Sequence, residues 1–417
     1  MASLRSPARA GVFTGSIVML LGSGFVSLAN FGYNIAVARM LGAGDFSHAA
    51  AAVTLLMLAS CINLSFQLVA AKFIARNEIP GAKAAVYHAL KRRAWRIGIY
   101  LCGALTLFSG PISDYLRLPS PSFIIILALG MLFYVPLGVK RGGFQGTRQF
   151  SRLSSSLTLE AVVKLGFAVV LVQLGFGVLG AVAAISISVL VAYFMPGGED
   201  ELRVRPEPGI PASFREGMQA MIFFVGQVII NNVDIIMVKH YFPPHEAGVY
   251  AAIALVGRLL YFATWMVTSA MFPISAGTKE EAESRRTLAV PLIFVVAISS
   301  LFVLVLWLFP NLVLNTIFGH QFHTAAPDAP ALLTMNAIAM GIYAAAVVLI
   351  SYEMSRRLAN TGWLQLLISG LVVLGISIYH QSLMSVIVVQ QVLRLALLVA
   401  VVLPFFRRPV RVAEEAL

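Results

Sequence analysis

The chain has 417 residues, 59% of them hydrophobic and only 12% charged, with a mean hydropathy of +0.87 and a formal net charge of +12. Soluble domains carry about 25% charged residues, so half of the polar cover that a water-facing surface needs is missing. That excludes a soluble globular protein and implies an all-α polytopic membrane protein, in which about twelve helices of roughly 20 residues use a little over half the chain.

The apolar segments of the first half cover 12–38, 47–71, 94–110, 121–139, 154–174 and 177–195. The first follows Arg5 and Arg9 and runs too far, to about Ala38, for a cleaved signal peptide; it reads as a membrane span. Next comes Pro196–Pro211, PGGEDELRVRPEPGIP, charged and rich in helix breakers. The second half follows with 217–238, 247–274, 288–309, 329–352, 361–379 and 382–406. The organisation expected is two six-helix lobes, 1–195 and 213–417, joined by a cytoplasmic linker at 196–212 and enclosing a central cavity. Cys61 and Cys102 both fall in apolar runs as small core residues, without the spacing of a metal site or disulfide framework.

Topology follows from Lys and Arg. With the N-terminus placed in the cytoplasm, 24 of the 30 lie in inside segments and three outside, namely Arg39, Arg117 and Lys239. Lys164, Arg258 and Arg394 fall within spans. The bias puts both termini in the cytoplasm, requires an even number of spans, and explains most of the positive charge without any nucleic acid partner.

The halves read as weak repeats. GDFSHAAAAV (Gly44–Val53) superposes on HEAGVYAAIA (His245–Ala254) at an offset of 201, and FQGTRQF (Phe144–Phe150) on YEMSRRL (Tyr352–Leu358) at 208. Parallel repeats of this kind imply two lobes related by an axis along the membrane normal.

Five charged residues lie deep in the spans: Glu160, Lys164, Asp234, Arg258 and Arg394. Each costs about 2.5–3.5 kcal/mol at mid-bilayer unless it faces a partner or water. Helical spacing shows polar stripes beside them: Ser23, Ser27, Asn30 and Asn34; Ser60, Asn63 and Gln67; Gln227, Asn231 and Asp234; Arg258, Tyr261, Thr264 and Thr268. Such stripes line a cavity or act as polar glue between helices. Arg258 is the leading anion contact, because its planar fork suits phosphate oxygens; the alternative is a structural pair with Asp234. Glu160 and Lys164, one turn apart, read as an internal ion pair or as cavity residues. Arg394 faces the cavity or snorkels, and Arg39 and Lys239 snorkel at the outer rim or touch anionic cargo there. His320 and His323 form a lone H-x-x-H without further ligands, so no metal is expected. The chain has neither a GxGxxG nor a Walker motif, and no loop that could house a catalytic domain, so neither an enzyme nor an ATP-driven pump is expected.

Four stretches carry a family resemblance: ARMLGAGDFSHAAAA (Ala38–Ala52), GGFQGTRQFSRLSSSLTLEAVVKLGFAVVLVQLGFGVLGA (Gly142–Ala181), NNVDIIMVKHYFPPHEAGVYAAIALVGRLL (Asn231–Leu260) and IFGHQFHTAAPDAPALL (Ile317–Leu333). Over most of its length the chain resembles the Wzx-like polysaccharide flippases of the multidrug/oligosaccharidyl-lipid/polysaccharide exporter superfamily. The resemblance implies a V-shaped, twelve-helix fold in the bacterial inner membrane that works by alternating access. It implies cargo of oligosaccharide on polyprenyl pyrophosphate, moved from the cytoplasmic to the periplasmic leaflet, with bilayer lipids and a polysaccharide polymerase as partners. The family's span-7 aspartate falls on Asp234, which makes a proton or Na⁺ gradient the candidate drive. The glycine usual after the aspartate-phenylalanine of LGAGDF is Ser47 here, while the second half keeps Gly248. A drug or cation antiporter of the same fold is the alternative reading.

Overall fold

The computed structural model describes residues 7–198, 200–212, 214–277, 281–319, 322, 328–356 and 361–407. Among them secondary structure is helical throughout, as the hydropathy requires. α1 (Pro7–Arg76) holds the first two expected spans as one helix broken at Gly42, with φ 79° and ψ 173°. That backbone region is essentially closed to residues bearing a Cβ, so Gly42 turns the chain where a loop was expected. α2 (Pro80–Leu107) starts well before the expected residue 94, with Pro80 at a first-turn position where its missing N–H costs nothing. Its charged early half is helical because Ala82, Val86, Tyr87, Leu90 and Ala94 bury one face and leave the cations on the other. α3 (Ser109–Tyr115) bends 64° away from α2.

α4 (Ser122–Gly146), α5 (Phe150–Leu171), a π-helical turn (Val172–Phe176) and α6 (Gly177–Phe194) complete the first half. The α5–α6 reversal rests on positive φ at Gly175 (90°) and Gly177 (51°). A 3₁₀ turn (Asp200–Leu202) leads into α7 (Phe214–Tyr241) and α8 (Pro244–Gly277). α9 (Glu281–Leu308), α10 (Pro310–Ile317), α11 (Ala329–Arg356), α12 (Thr361–Ile378) and α13 (Leu383–Arg407) follow.

Among the described residues, eight helices are long and apolar enough to cross a membrane. Two of them, Leu21–Arg76 and Phe150–Phe194, measure 56 and 45 residues with a break inside, long enough for two crossings each. With the bent α2–α3 pair and the shorter apolar helix Gly362–Ile378 counted once each, the total is the expected twelve. α9 is peripheral: only 11% of its apolar window is covered by protein, against 67% for α4.

Close packing around α4 is set by small residues. Gly138, Gly142 and Gly146 recur every four positions and lie against α1; a Cβ there would strike the backbone of Asn63, Gln67 and Ala71. Pro136 lacks the N–H that the Leu132 carbonyl would otherwise receive, and Gly98 of α2 packs directly on that carbonyl.

Contacts group the chain into two compact units, Met1–Ala251 and Ala252–Leu417. The 196–212 segment, expected as the boundary, lies inside the first unit. Leu202 is fully buried among Phe73, Ile74 and Tyr87, and the Asn77 amide bonds Ile210 both ways, donating to its carbonyl (3.2 Å) and accepting from its N–H (2.9 Å). The segment is therefore docked on α1 and α2, and α7 packs along α1.

Candidate functional site

A charge inside a span needs a partner, and the structure assigns partners that spacing alone did not. Arg141, which closes the α4 core at 4% exposure, holds Glu160 at 2.6 Å. Its Nε donates to Ser156 Oγ (3.2 Å) and its Nη2 to the Ser156 carbonyl (3.1 Å). The expected Glu160–Lys164 pair is thus replaced. A planar guanidinium arriving from the neighbouring helix bonds both the carboxylate and the helix backbone, which a lysine one turn away on the same helix cannot. Lys164, 4% exposed, instead rests over the Tyr33 ring at 5.3 Å, and Tyr33 donates its hydroxyl to the Ala181 carbonyl at 3.0 Å. Among the described residues no hydrogen bond or salt bridge reaches the Lys164 ammonium.

Several stripe residues are satisfied locally. Asn34 donates to the Asn30 carbonyl (2.8 Å) and Asn231 to the Gln227 carbonyl (2.8 Å). Thr264 and Thr268 likewise bond the carbonyls one turn back. Asn63, expected to contact cargo, is a strap between helices: its amide donates to the Tyr134 carbonyl at 2.7 Å, beside Gly138. Gln67 reaches Gln145 at 3.3 Å across the same interface. The Oδ1 of Asn30 is buried without a hydrogen-bond partner among the described residues.

A second cluster forms where α1 kinks. Lys239, expected to snorkel, is 1% exposed and donates to Ser47 Oγ at 2.8 Å; it is closed in because α7 lies against α1. This also accounts for the serine in place of the usual glycine. Gly248, the matching position at the 201-residue offset, must be glycine because an added Cβ would land on the Ala43 carbonyl. Gly44 faces the His245 ring, so two positions that the repeat superposes touch one another. His240 stacks on Tyr115 at 3.9 Å, and Arg117 donates to the Phe242 carbonyl at 3.5 Å. Asp234, 4% exposed, accepts the Tyr250 hydroxyl at 2.8 Å through Oδ2, while Oδ1 has no hydrogen-bond partner among the described residues. Arg39 is exposed.

In the C-terminal unit, Arg394 is 1% exposed with its guanidinium 5.7 Å over the Tyr343 ring, so it does not snorkel. Tyr343 accepts a hydrogen bond from Gln365 Nε2 (3.0 Å) and stacks on Tyr261 at 5.9 Å. Arg258 is half-buried.

The family model described as polysaccharide biosynthesis protein matches residues 12–279, well over half the chain. The chain belongs to that family. A search of curated protein sequences returns no match. Among solved structures, a multidrug resistance MATE family transporter of the MOP superfamily in an inward-facing conformation aligns with TM-score 0.76 and 13% identity, covering 92% of this chain and 94% of that one. The lipid II flippase MurJ, in an inward closed conformation, gives 0.75 and 9%, covering 94% and 87%. A MOP superfamily transporter from Pyrococcus furiosus, described as having a binding pocket of reverse polarity, gives 0.61 and 13%, covering 97% and 96%. These likenesses show that the chain shares the fold of those transporters.

The sequence reading missed Arg141, Tyr33, Tyr343 and Gln365. Arg141 lies just past the expected end of the span 121–139, whereas α4 stays helical through Gly146, its glycines letting it pack closely on α1. The tyrosines carry no such signal, since an apolar stretch hides which ring will meet a cation. His320 and His323 lie outside the described residues.

Proposed function

We propose that the protein is a flippase that carries polyprenyl-pyrophosphate-linked oligosaccharide from the cytoplasmic to the periplasmic leaflet of the bacterial inner membrane, for cell-surface polysaccharide synthesis. The observation behind this reading is Lys164, a buried ammonium whose neighbouring carboxylate is already taken by Arg141. Holding a cation in a span with no hydrogen bond or ion pair among the described residues costs several kcal/mol, and an anionic headgroup offsets that cost only when bound. Among the described residues, buried cations outnumber buried carboxylates five to two, which favours anionic cargo over the cationic cargo of a drug antiporter.

In this reading Lys164 meets the pyrophosphate; Arg258 and Arg394, the deep cations of the second unit, are the further candidates for anion contact. Asn30, Asn34, Gln67, Gln227, Asn231 and Tyr261 meet sugar hydroxyls. Asp234, with one oxygen available, couples the cycle to a proton or Na⁺ gradient. The lobes 1–195 and 213–417 rearrange so that the site faces the two leaflets alternately. A polysaccharide polymerase receives the product.

The test is translocation of fluorescent lipid-linked oligosaccharide in proteoliposomes. Lys164→Met is expected to lower the initial rate about tenfold, equivalent to about 1.4 kcal/mol, while Lys164→Arg stays within about threefold of wild type. Transport undiminished in Lys164→Met removes the headgroup role. Efflux of a cationic dye by the same vesicles, without lipid flipping, replaces the flippase by the antiporter.

A further inference from the structure

Beside the α1–α2–α7 junction the first unit has an open groove of about 490 Å³. Two helical stripes face each other across it. Ile62, Phe66 and Val69 come from α1, and Arg93, Arg96, Ile97 and Tyr100 from α2, each set spaced three and four residues apart. Met218 and Met221 of α7 cover one side, with Ala212 next to the docked linker. The linker bonds between Asn77 and Ile210 fix that wall, so the groove is preformed.

Its chemistry is asymmetric. The inner part is hydrocarbon and aromatic, with Tyr100 73% exposed. Along α2, Leu90 lines the groove at the linker end, Arg93 and Arg96 lie midway, and Ile97 and Tyr100 continue away from the linker, Tyr100 about 10 Å beyond Arg93. Arg93 and Arg96 are exposed, and among the described residues neither has a hydrogen bond or an ion pair. Two guanidiniums without a partner among the described residues, next to an apolar stretch of groove, match the two ends of an anionic lipid: phosphate on the cations, acyl chain along the apolar lining.

We infer that this groove binds an anionic glycerophospholipid, with its phosphate on Arg93 and Arg96 and one acyl chain along Ile62, Ile97 and Tyr100. The occupant is a bulk phospholipid because an apolar groove between spanning helices is filled by mass action, and phospholipid far outnumbers any lipid-linked sugar. Its bound chain fills the gap between α2 and α7, so occupancy holds the early part of α7 against α1 and α2. The site is separate from Lys164 and does not depend on what the protein transports.

Lipid retention resolves it. Purified full-length protein is equilibrated in micelles containing equal amounts of phosphatidylglycerol and phosphatidylcholine of the same chains, and bound lipid is counted by native mass spectrometry. Wild type is expected to retain phosphatidylglycerol with about tenfold preference. Arg93→Gln/Arg96→Gln should lose that preference, and Arg92→Gln, one position outside the groove lining, should keep it. Ile97→Trp, which fills the slot without altering charge, should retain less lipid of either kind and guards against a poorly folded double variant. Equal retention of both lipids by wild type, or unchanged preference in the double variant, overturns the site. Displacement of phosphatidylglycerol by an equal amount of polyprenyl phosphate overturns the choice of phospholipid as occupant.

Discussion

At the residue scale, charge placement is governed by competition for partners. Glu160 has two cations within reach of its helix, and Arg141 takes it because its fork bonds Ser156 as well. Glu160→Gln leaves that guanidinium buried without its counter-ion and is expected to cost about 3 kcal/mol. Thermal unfolding in detergent should show a clearly lowered midpoint. Arg141→Met/Glu160→Met should unfold closer to wild type than Glu160→Gln does, because removing both charges leaves neither one uncompensated. A midpoint for Glu160→Gln equal to wild type would show that the pair carries no stability. The polar stripes were legible in the sequence as helical faces, but what each face meets was not. Asn63 ties α1 to α4, whereas Asn30 keeps an oxygen without a partner among the described residues. Both lie on equally regular stripes, so spacing could not separate glue from lining.

At the element scale, glycine decides where helices bend and how closely they approach. Gly42, Gly175 and Gly177 make the reversals, and their backbone angles leave little choice of residue. Gly138 and Gly142 act through contact instead. Gly142→Leu drives a side chain into the α1 backbone and should abolish recovery of monodisperse protein, since overpacking beyond a methylene costs several kcal/mol. Gly103→Leu, where nothing lies within 4 Å, should be recovered as wild type by size-exclusion chromatography. Equal recovery of both would mean that α1 and α4 are not held at close range. Expected element ends were poorest where charge and helix coincide. The early half of α2 and the last turn of α4 carry Lys and Arg that resemble loop signals, yet they remain helical because their apolar neighbours bury one face.

At the scale of the whole molecule, the distribution of Lys and Arg fixes the expected orientation. On a background with Cys61 and Cys102 replaced by alanine, a cysteine at Arg203 should resist a membrane-impermeant maleimide in intact cells, and one at Arg117 should react. The opposite pattern would invert the topology and, with it, the direction of transport.

Composition and hydropathy by themselves determined the helical membrane class and the number of spans, because a bilayer tolerates only internally bonded backbone and counts its crossings in lengths of apolar chain. The quoted motifs determined the family, since they keep their order over most of the chain. Only the tertiary structure decided which charge pairs with which, that Lys164 is left over a tyrosine ring, that the linker docks on α1 and α2, and that Arg93 and Arg96 open onto an apolar slot. Those outcomes depend on which helix faces meet in space, and residues 19 or 131 positions apart, as in Arg141–Glu160 and Tyr33–Lys164, leave no periodic trace of their meeting in a single sequence.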